Sequence, residues 1–227
     1  MHRVILKSLM RLAVTEVRNR SLRYGVLRRS QSIAPFGVGS IIDLPNESIM
    51  PLSIDFWPKN MGVLIYDERL QRRLGVSYFK MIPSQEEMPD GGVPCVRFPK
   101  WLFCPKCRSF KPINVWIDRY KDKYHEIFYI PECDVCRVKL VPSRFIVACE
   151  KGHIDDFPWV TWAHKGDLCS NPDLEIRTGG ISSGLTGIRV LCKSCGAHNN
   201  MAGAFSEDAH IKCSGYMPWL GKHEKCD

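Results

Sequence analysis

The chain has 227 residues, 44% of them hydrophobic and 25% charged, with a formal net charge of +8. This composition excludes a chain disordered throughout, a collagen-like chain and a low-complexity chain, and no apolar run approaches the roughly 18 residues needed to span a bilayer. The length allows one large domain or two small ones.

The charge is unevenly placed. Residues 1–30 hold eight Lys/Arg and one acidic residue, whereas residues 31–100 and 151–227 each carry −1 and residues 101–150 carry +3. The body of the protein is therefore close to neutral, so nucleic-acid binding does not follow from total charge alone. The outlier in composition is cysteine, at 11 residues. The stretch Val4–Val17 is interrupted by Lys7, Arg11 and Glu16, and no small-residue cleavage site follows it, so it does not read as a secretory signal. A cytoplasmic, reducing compartment is expected, where paired thiols more often hold metal than form disulfides.

Residues 1–26 read as a basic amphipathic extension. Val4, Ile5, Leu9 and Leu12 fall on a helical grid with Arg3, Lys7, Arg11 and Arg18 on another face, and Gly25 is a stop signal. Residues 27–94 read as an N-terminal α+β region. Ser40–Leu44 suggests a short strand ending at Pro45-Asn46, Gly62–Tyr66 another, and Asp67–Arg73 a turn of helix. Ser84–Pro94 is a polar, Pro/Gly-rich loop and marks a soft boundary. The Gly37-Val38-Gly39 stretch lacks the third glycine of a dinucleotide fingerprint, and Gly215…Gly221-Lys222-His223 misses the Walker A spacing and hydroxyl, so the chain is not an ATPase by itself.

Residues 95–227 read as a zinc-binding region. Cys104-Pro-Lys-Cys107 and Cys133-Asp-Val-Cys136 are two C-x2-C pairs separated by 25 residues. Two residues between thiolates let a tight turn aim both sulfurs at one point, and two such knuckles complete a tetrahedral four-sulfur shell suited to zinc. This places a ribbon over residues 101–140, with the aromatic-rich segment 112–131 forming a hairpin between the knuckles. Further sites are expected within 149–226. Cys192, Cys195, Cys213 and Cys226 form one candidate set, and Cys149, His153, His164 and Cys169 another; a competing partition joins Cys149 and His153 to Cys192 and Cys195. Two to three zinc ions per chain are expected. Cys95 is left over as a buried small hydrophobe, and His125, His198, His210 and His223 are read as exposed or hydrogen-bonded.

The stretch Gly152–Asp156 offers His153, Asp155 and Asp156 together, a low-weight hydrolase or nuclease alternative that lacks the H-E-x-x-H and deaminase patterns. Helix capping ahead of Phe157-Pro158-Trp159 is the structural reading of the two aspartates.

Arg28-Arg29-Ser30-Gln31 with Phe36–Pro45, then Arg144-Phe145 through Cys149 with Gly152–Trp159, then Ala202–Phe205 through Cys213 with Pro218–Gly221, resemble in order and spacing the DrmB proteins of the DISARM anti-phage defence system, grouped with the DUF1998 helicase-associated proteins. The resemblance covers about residues 27–227. It implies a prokaryotic protein acting beside a helicase-type ATPase on invading DNA. Family members are much longer, so the chain is expected to correspond to their N-terminal portion. The resulting expectation is a non-enzymatic, zinc-stabilised α+β protein with knuckles, short strands and an N-terminal helix. It would contact DNA through Lys106, Arg108, Lys111, Arg119, Lys121, Lys123, Arg137 and Lys139, with Trp101, Phe103, Phe110 and Trp116 as stacking candidates read preferentially as core. No membrane partner is expected. A pure interaction scaffold for a helicase is the alternative.

Overall fold

In a computed structural model, residues 3–8, 23–45, 47–59, 61–83, 92–125, 130–179 and 184–226 are described. They divide into two compact units: Met1–Leu44 with Ile49–Arg97 and Pro218–Gly221, and Pro45–Ser48 with Phe98–Met217 and Lys222–Asp227.

The first unit contains β1 (Arg3–Ser8), β2 (Arg23–Arg28), β3 (Ile42–Leu44), residues 49–51 of β4 (Glu47–Pro51), β5 (Val63–Ile65), α1 (Glu68–Leu74), β6 (Phe79–Met81) and β7 (Val93–Arg97). Five strands form one sheet in the order β2-β1-β7-β4-β3. The expected N-terminal helix is corrected here. Arg3–Ser8 is a strand, antiparallel to β2 and parallel to β7, while residues 9–22 lie outside the described set. The β-branched pair Val4-Ile5 suits a pleated strand, and pairing on both sides supplies hydrogen bonds that outweigh a helical grid of four residues. The loop expected over Ser84–Pro94 is described only at its end, where Val93 and Pro94 already belong to β7. The core holds Ile42, Ile49, Trp57, Met61, Val93 and Cys95. Cys95 is fully buried and its thiol donates to the Val93 carbonyl at 3.3 Å. Helix α1 forms where the sequence places it: the Asp67 carboxylate accepts from the Leu70 amide at 2.9 Å, and Gly75 ends the helix with φ of 65°.

The second unit contains β8 (Trp101–Phe103), β9 (Ser109–Pro112), α2 (Ile113–Tyr124), β10 (Val141–Pro142), β11 (Ile146–Ala148), β12 (Ile154–Asp156), α3 (Trp159–His164), β13 (Leu174–Thr178), β14 (Ile188–Cys192), β15 (His198–Asn200), β16 (Tyr216–Met217) and β17 (Lys222–His223). Its main sheet has the order β10-β8-β9-β13-β14-β15, all neighbours antiparallel. One core gathers Phe110, Phe157, Trp159, Leu174, Ile176 and Val190. Another gathers Leu102, Trp116, Ile117, Tyr120 and Leu140 around Cys104 and Cys133.

The hairpin expected over 112–131 is replaced by α2. Ile113, Trp116, Ile117, Tyr120 and Tyr124 follow the i, i+3, i+4, i+7, i+11 period and pack in that second core. Pro112 sits just before the first helical residue, where its missing N–H costs nothing. The Trp116 indole N–H is shared between the Leu102 and Lys111 carbonyls, at 3.1 Å each, which fastens the helix to β8 and β9.

Candidate metal centres

Three tetrads of cysteine and histidine come together in the second unit, and in each the four ligand atoms lie within 4.8 Å of one another. They are Cys104/Cys107/Cys133/Cys136, Cys149/His153/Cys213/Cys226 and His164/Cys169/Cys192/Cys195. The first matches the expected ribbon set. The other two differ from both partitions considered: Cys213 and Cys226 join Cys149 and His153, whereas Cys192 and Cys195 join His164 and Cys169.

Local backbone geometry explains why the C-x2-C pairs converge. After Cys107 and Cys136, Arg108 and Arg137 adopt φ of 63° and 56°, and Gly196 after Cys195 adopts 81°. The amide of that residue then bonds back to the carbonyl of the first cysteine, at 2.9, 3.0 and 2.8 Å in the three knuckles. In the first two, the amide of the second cysteine also donates to the first sulfur at 3.4 Å. Each knuckle is thus one tight turn that aims amides at thiolate charge.

The second tetrad is built differently. Cys149 and His153 flank a turn at Gly152, with φ of 86°, between β11 and β12. Cys213 and Cys226 arrive on the β16–β17 hairpin. Gly215 lets those two segments close. Its carbonyl accepts the Glu224 amide at 2.9 Å, and a Cβ there would fall 1.7 Å from the Glu224 oxygen, so only glycine fits. His153 is buried; its Nδ1 lies 3.2 Å from the Cys149 sulfur and 3.5 Å from that of Cys213. In the third tetrad the other nitrogen is used. His164, at the end of α3, donates from Nδ1 to the Val160 carbonyl at 2.7 Å and turns Nε2 toward the Cys195 sulfur at 3.4 Å.

The electrostatics of all three tetrads call for a cation. Burial opposes ionisation of Cys149 and Cys192, yet surrounding amide and side-chain donors pull both thiols down to about 6. Cys104 is likewise lowered against its burial, by the amides of Cys107 and Lys106. Their neighbours move the other way: desolvation and adjacent sulfurs push Cys107 up to about 12 and Cys226 up to about 11. In each group one thiol is lowered while a neighbour is raised, Cys104 against Cys107 and Cys133, Cys149 against Cys226 and Cys192 against Cys169, as expected of like charges held close together. A divalent ion with affinity for sulfur and imidazole relieves that repulsion, and it is suited both by four thiolates and by three thiolates with one imidazole.

The aspartates do not cap a helix; this corrects the expectation. Both end β12, and α3 begins after Pro158 with no side-chain cap. Asp155 accepts from the Ser214 hydroxyl at 2.7 Å. The Asp156 carboxylate accepts the amides of Lys100, at 2.8 Å, and Trp101, at 3.2 Å, and burial raises its pKa to about 6 despite those bonds. Sequence reading overlooked Glu224, whose Oε1 lies 3.0 Å from His153 Nε2; its place two residues before Cys226 was the available signal.

The eight basic residues expected at DNA divide by burial. Lys111 is buried and ion-paired with Asp173, so its charge is not offered to solvent; this removes it from that set on physical grounds. Arg108 donates to the Ile176 carbonyl at 2.9 Å and the Thr178 hydroxyl at 2.7 Å. Asp134 holds Arg119 at 3.0 Å through its carboxylate and Lys123 at 2.6 Å through its carbonyl. Arg137 lies over the Tyr124 ring at 4.4 Å. Lys106, Lys121 and Lys139 are exposed. Of the aromatic candidates, Phe110 and Trp116 are core residues, while Trp101 and Phe103 are half-buried.

A family model described as a domain of unknown function, DUF8724, matches residues 28–227. The chain is also similar to a protein of Bacillus paralicheniformis (strain ATCC 9945a / NCIMB 11709 / CD-2) named DISARM protein DrmB, 30% identical over 193 residues, which is 82% of this chain and 33% of the relative. It thus spans about a third of the length of the curated relative it matches. No helix among the described residues is long and apolar enough to cross a membrane.

Proposed function

The chain belongs to the DUF8724 family, and on that premise we propose that it is a zinc-stabilised, non-catalytic subunit of a prokaryotic anti-phage defence system, contacting DNA and a helicase-type ATPase in the cytoplasm. The similarity to a DISARM protein supports the defence setting. The observation that carries the reading is the convergence of twelve cysteine and histidine ligands into three four-ligand groups. Four protein ligands fill a tetrahedral shell and leave no position for substrate, the arrangement of structural rather than catalytic zinc. Asp155 and Asp156, the residues a hydrolase would need as bases, are both engaged by hydrogen bonds within the unit. Zinc when bound supplies cross-linking of short strands and turns that bury little apolar area, so metal uptake and folding are coupled.

The DNA surface in this reading is the exposed part of the knuckles and α2: Lys106, Lys121, Lys123, Arg137 and Lys139, with Arg108 and Arg119 contributing only the charge not already engaged internally. Phosphate contact of this kind is sequence-independent and salt-sensitive. The test combines elemental analysis of purified protein with a fluorescence anisotropy titration of labelled duplex DNA at several salt concentrations. Expected are two to three zinc ions per chain and an affinity that falls with salt, with a shallower salt dependence for Lys106→Glu/Lys121→Glu. A metal-free protein that stays folded in chelator overturns the zinc assignment. Absence of DNA affinity at low salt overturns the nucleic-acid assignment and leaves the scaffold alternative.

A further inference from the structure

The three tetrads are not equally protected. In the first, Cys104 and Cys133 are buried in the core around Trp116, with Cys136 packed against it; in the third, Cys192 is buried in the other core, with Cys169 packed against it. The second has no buried sulfur. Cys213 is exposed, Cys149 and Cys226 are half-buried, and neither core of the unit includes them. Its only buried ligand is His153. The scaffold is also slighter. Cys149 and His153 lie on β11–β12 and Cys213 and Cys226 on β16–β17, each a two-stranded sheet by itself, whereas Cys104 follows β8 and Cys192 ends β14 in the six-stranded sheet. Isolated two-stranded hairpins are marginal in water, so the segments carrying these three sulfurs have freedom to shift against each other.

A cavity of about 80 Å³ opens beside this tetrad, and Cys149, His153, Asp155, Lys212, Cys213 and Ser214 are among the residues that line it. A water needs roughly 10–15 Å³, so an oxidant of two oxygen atoms fits against the Cys149 sulfur. The Cys226 sulfur lies 3.9 Å from that of Cys149. A disulfide needs about 2.05 Å, so a modest closing movement of one hairpin joins them. We propose that the second tetrad is a peroxide-sensitive thiol site, in which Cys149 is oxidised first and Cys226 resolves it to a disulfide, with release of the metal. This rests on the zinc reading of the tetrads and goes beyond it. The Cys149 thiolate attacks one oxygen of hydrogen peroxide, the O–O bond breaks, and hydroxide leaves into the cavity that Lys212 borders. The Cys226 thiolate then attacks the oxidised sulfur, which forms the S–S bond and expels the second hydroxide. Two electrons pass from the two sulfurs to the peroxide, and two protons from solvent complete two waters. Cys213 and His153 alone then remain as ligands, too few for a tetrahedral shell.

The experiment uses the full wild-type chain as purified, its metal content measured first. Hydrogen peroxide is added in slight excess with a chromogenic chelator present, and disulfides are mapped by peptide mass spectrometry. One metal equivalent per chain leaves at least about 10-fold faster than the rest, the contrast expected where exposure governs thiol oxidation. The mapped disulfide joins Cys149 to Cys226, and dithiothreitol with added zinc restores the original content. No ligand is substituted, so misfolding of a variant does not enter the result. Equal release from all tetrads, no release, release that dithiothreitol does not reverse, or a disulfide between any other pair overturns this assignment and leaves the zinc reading standing. A chain that holds no metal before oxidation overturns the zinc reading and this assignment with it.

Discussion

His153 Nε2 lies 3.0 Å from Glu224 Oε1, while the opposite ring nitrogen faces the sulfurs of Cys149 and Cys213. The carboxylate accepts a hydrogen bond from Nε2–H and leaves the Nδ1 lone pair directed into the tetrad, so one contact fixes both tautomer and ring orientation. Glu224→Ala is expected to weaken metal retention at this tetrad about 10- to 100-fold, as loss of an outer-shell partner does elsewhere. Competition with a chromogenic chelator checks it: one equivalent per chain should leave early while the others keep their wild-type rate, and Glu224→Gln, which still accepts a hydrogen bond, should fall between.

Removal of metal should act on the second unit first. All three tetrads lie in residues of that unit, and the first is built into a core with Trp116, Ile117 and Tyr120. Cys104→Ser or Cys133→Ser, at fully buried sulfurs, should cost one metal equivalent and most of the near-ultraviolet signal of α2. Retention of that signal with the equivalent lost would show that the knuckles fold without their ion.

Asp156 gives a pH dependence with a definite sign. Its carboxyl is raised from the ordinary value of 3.8 to about 6, chiefly by burial. Below the lower value both folded and unfolded states hold the proton. Between the two values the folded state keeps a proton that the unfolded state has lost, so stability from this group falls as pH rises through that window and stays lower above it. Asp156→Asn should therefore flatten the stability profile relative to wild type, in urea titrations at pH 4 to 7. Asp156→Ala should be destabilised by about 1–3 kcal/mol, because the Lys100 and Trp101 amides lose their acceptor.

Lys111 links structure rather than ligand. Asp173 bridges it to Lys193, the latter at 3.1 Å, and these cations hold the Asp173 carboxyl below its ordinary value although burial opposes this. Asp173→Asn should leave a buried ammonium without its counter-charge and lower stability by roughly 1–3 kcal/mol. Lys111→Met should lower stability while leaving the DNA affinity of the folded fraction unchanged; a drop in affinity equal to that of Lys106→Glu would contradict its buried, paired role.

Much of the secondary structure that sequence reading missed was nevertheless periodic. The face Ile113–Trp116–Ile117–Tyr120–Tyr124 has helical spacing, but the two flanking C-x2-C pairs suggested a ribbon hairpin and drew attention from it. At Val4-Ile5 the opposite happened: a short helical grid outweighed β-branched propensity, and the strand exists because β2 and β7 lie on either side to pair with it.

What the sequence by itself determined are the ligand types and the turns that present them. A knuckle is a local object: two cysteines, two residues between, and a residue free to take positive φ fix the sulfur positions within one turn. Grouping the remaining ligands was a tertiary decision. Cys213 and Cys226 are far along the chain from Cys149 and His153, and only the β16–β17 hairpin, closed through Gly215 against Glu224, delivers them there. His164 reaches the Cys192–Cys195 knuckle because α3 lies across β14 and β15. Sequence spacing constrains groups that share a turn, whereas groups that meet across a sheet are placed by packing, and no local spacing records which of two equally plausible tetrads that packing will complete.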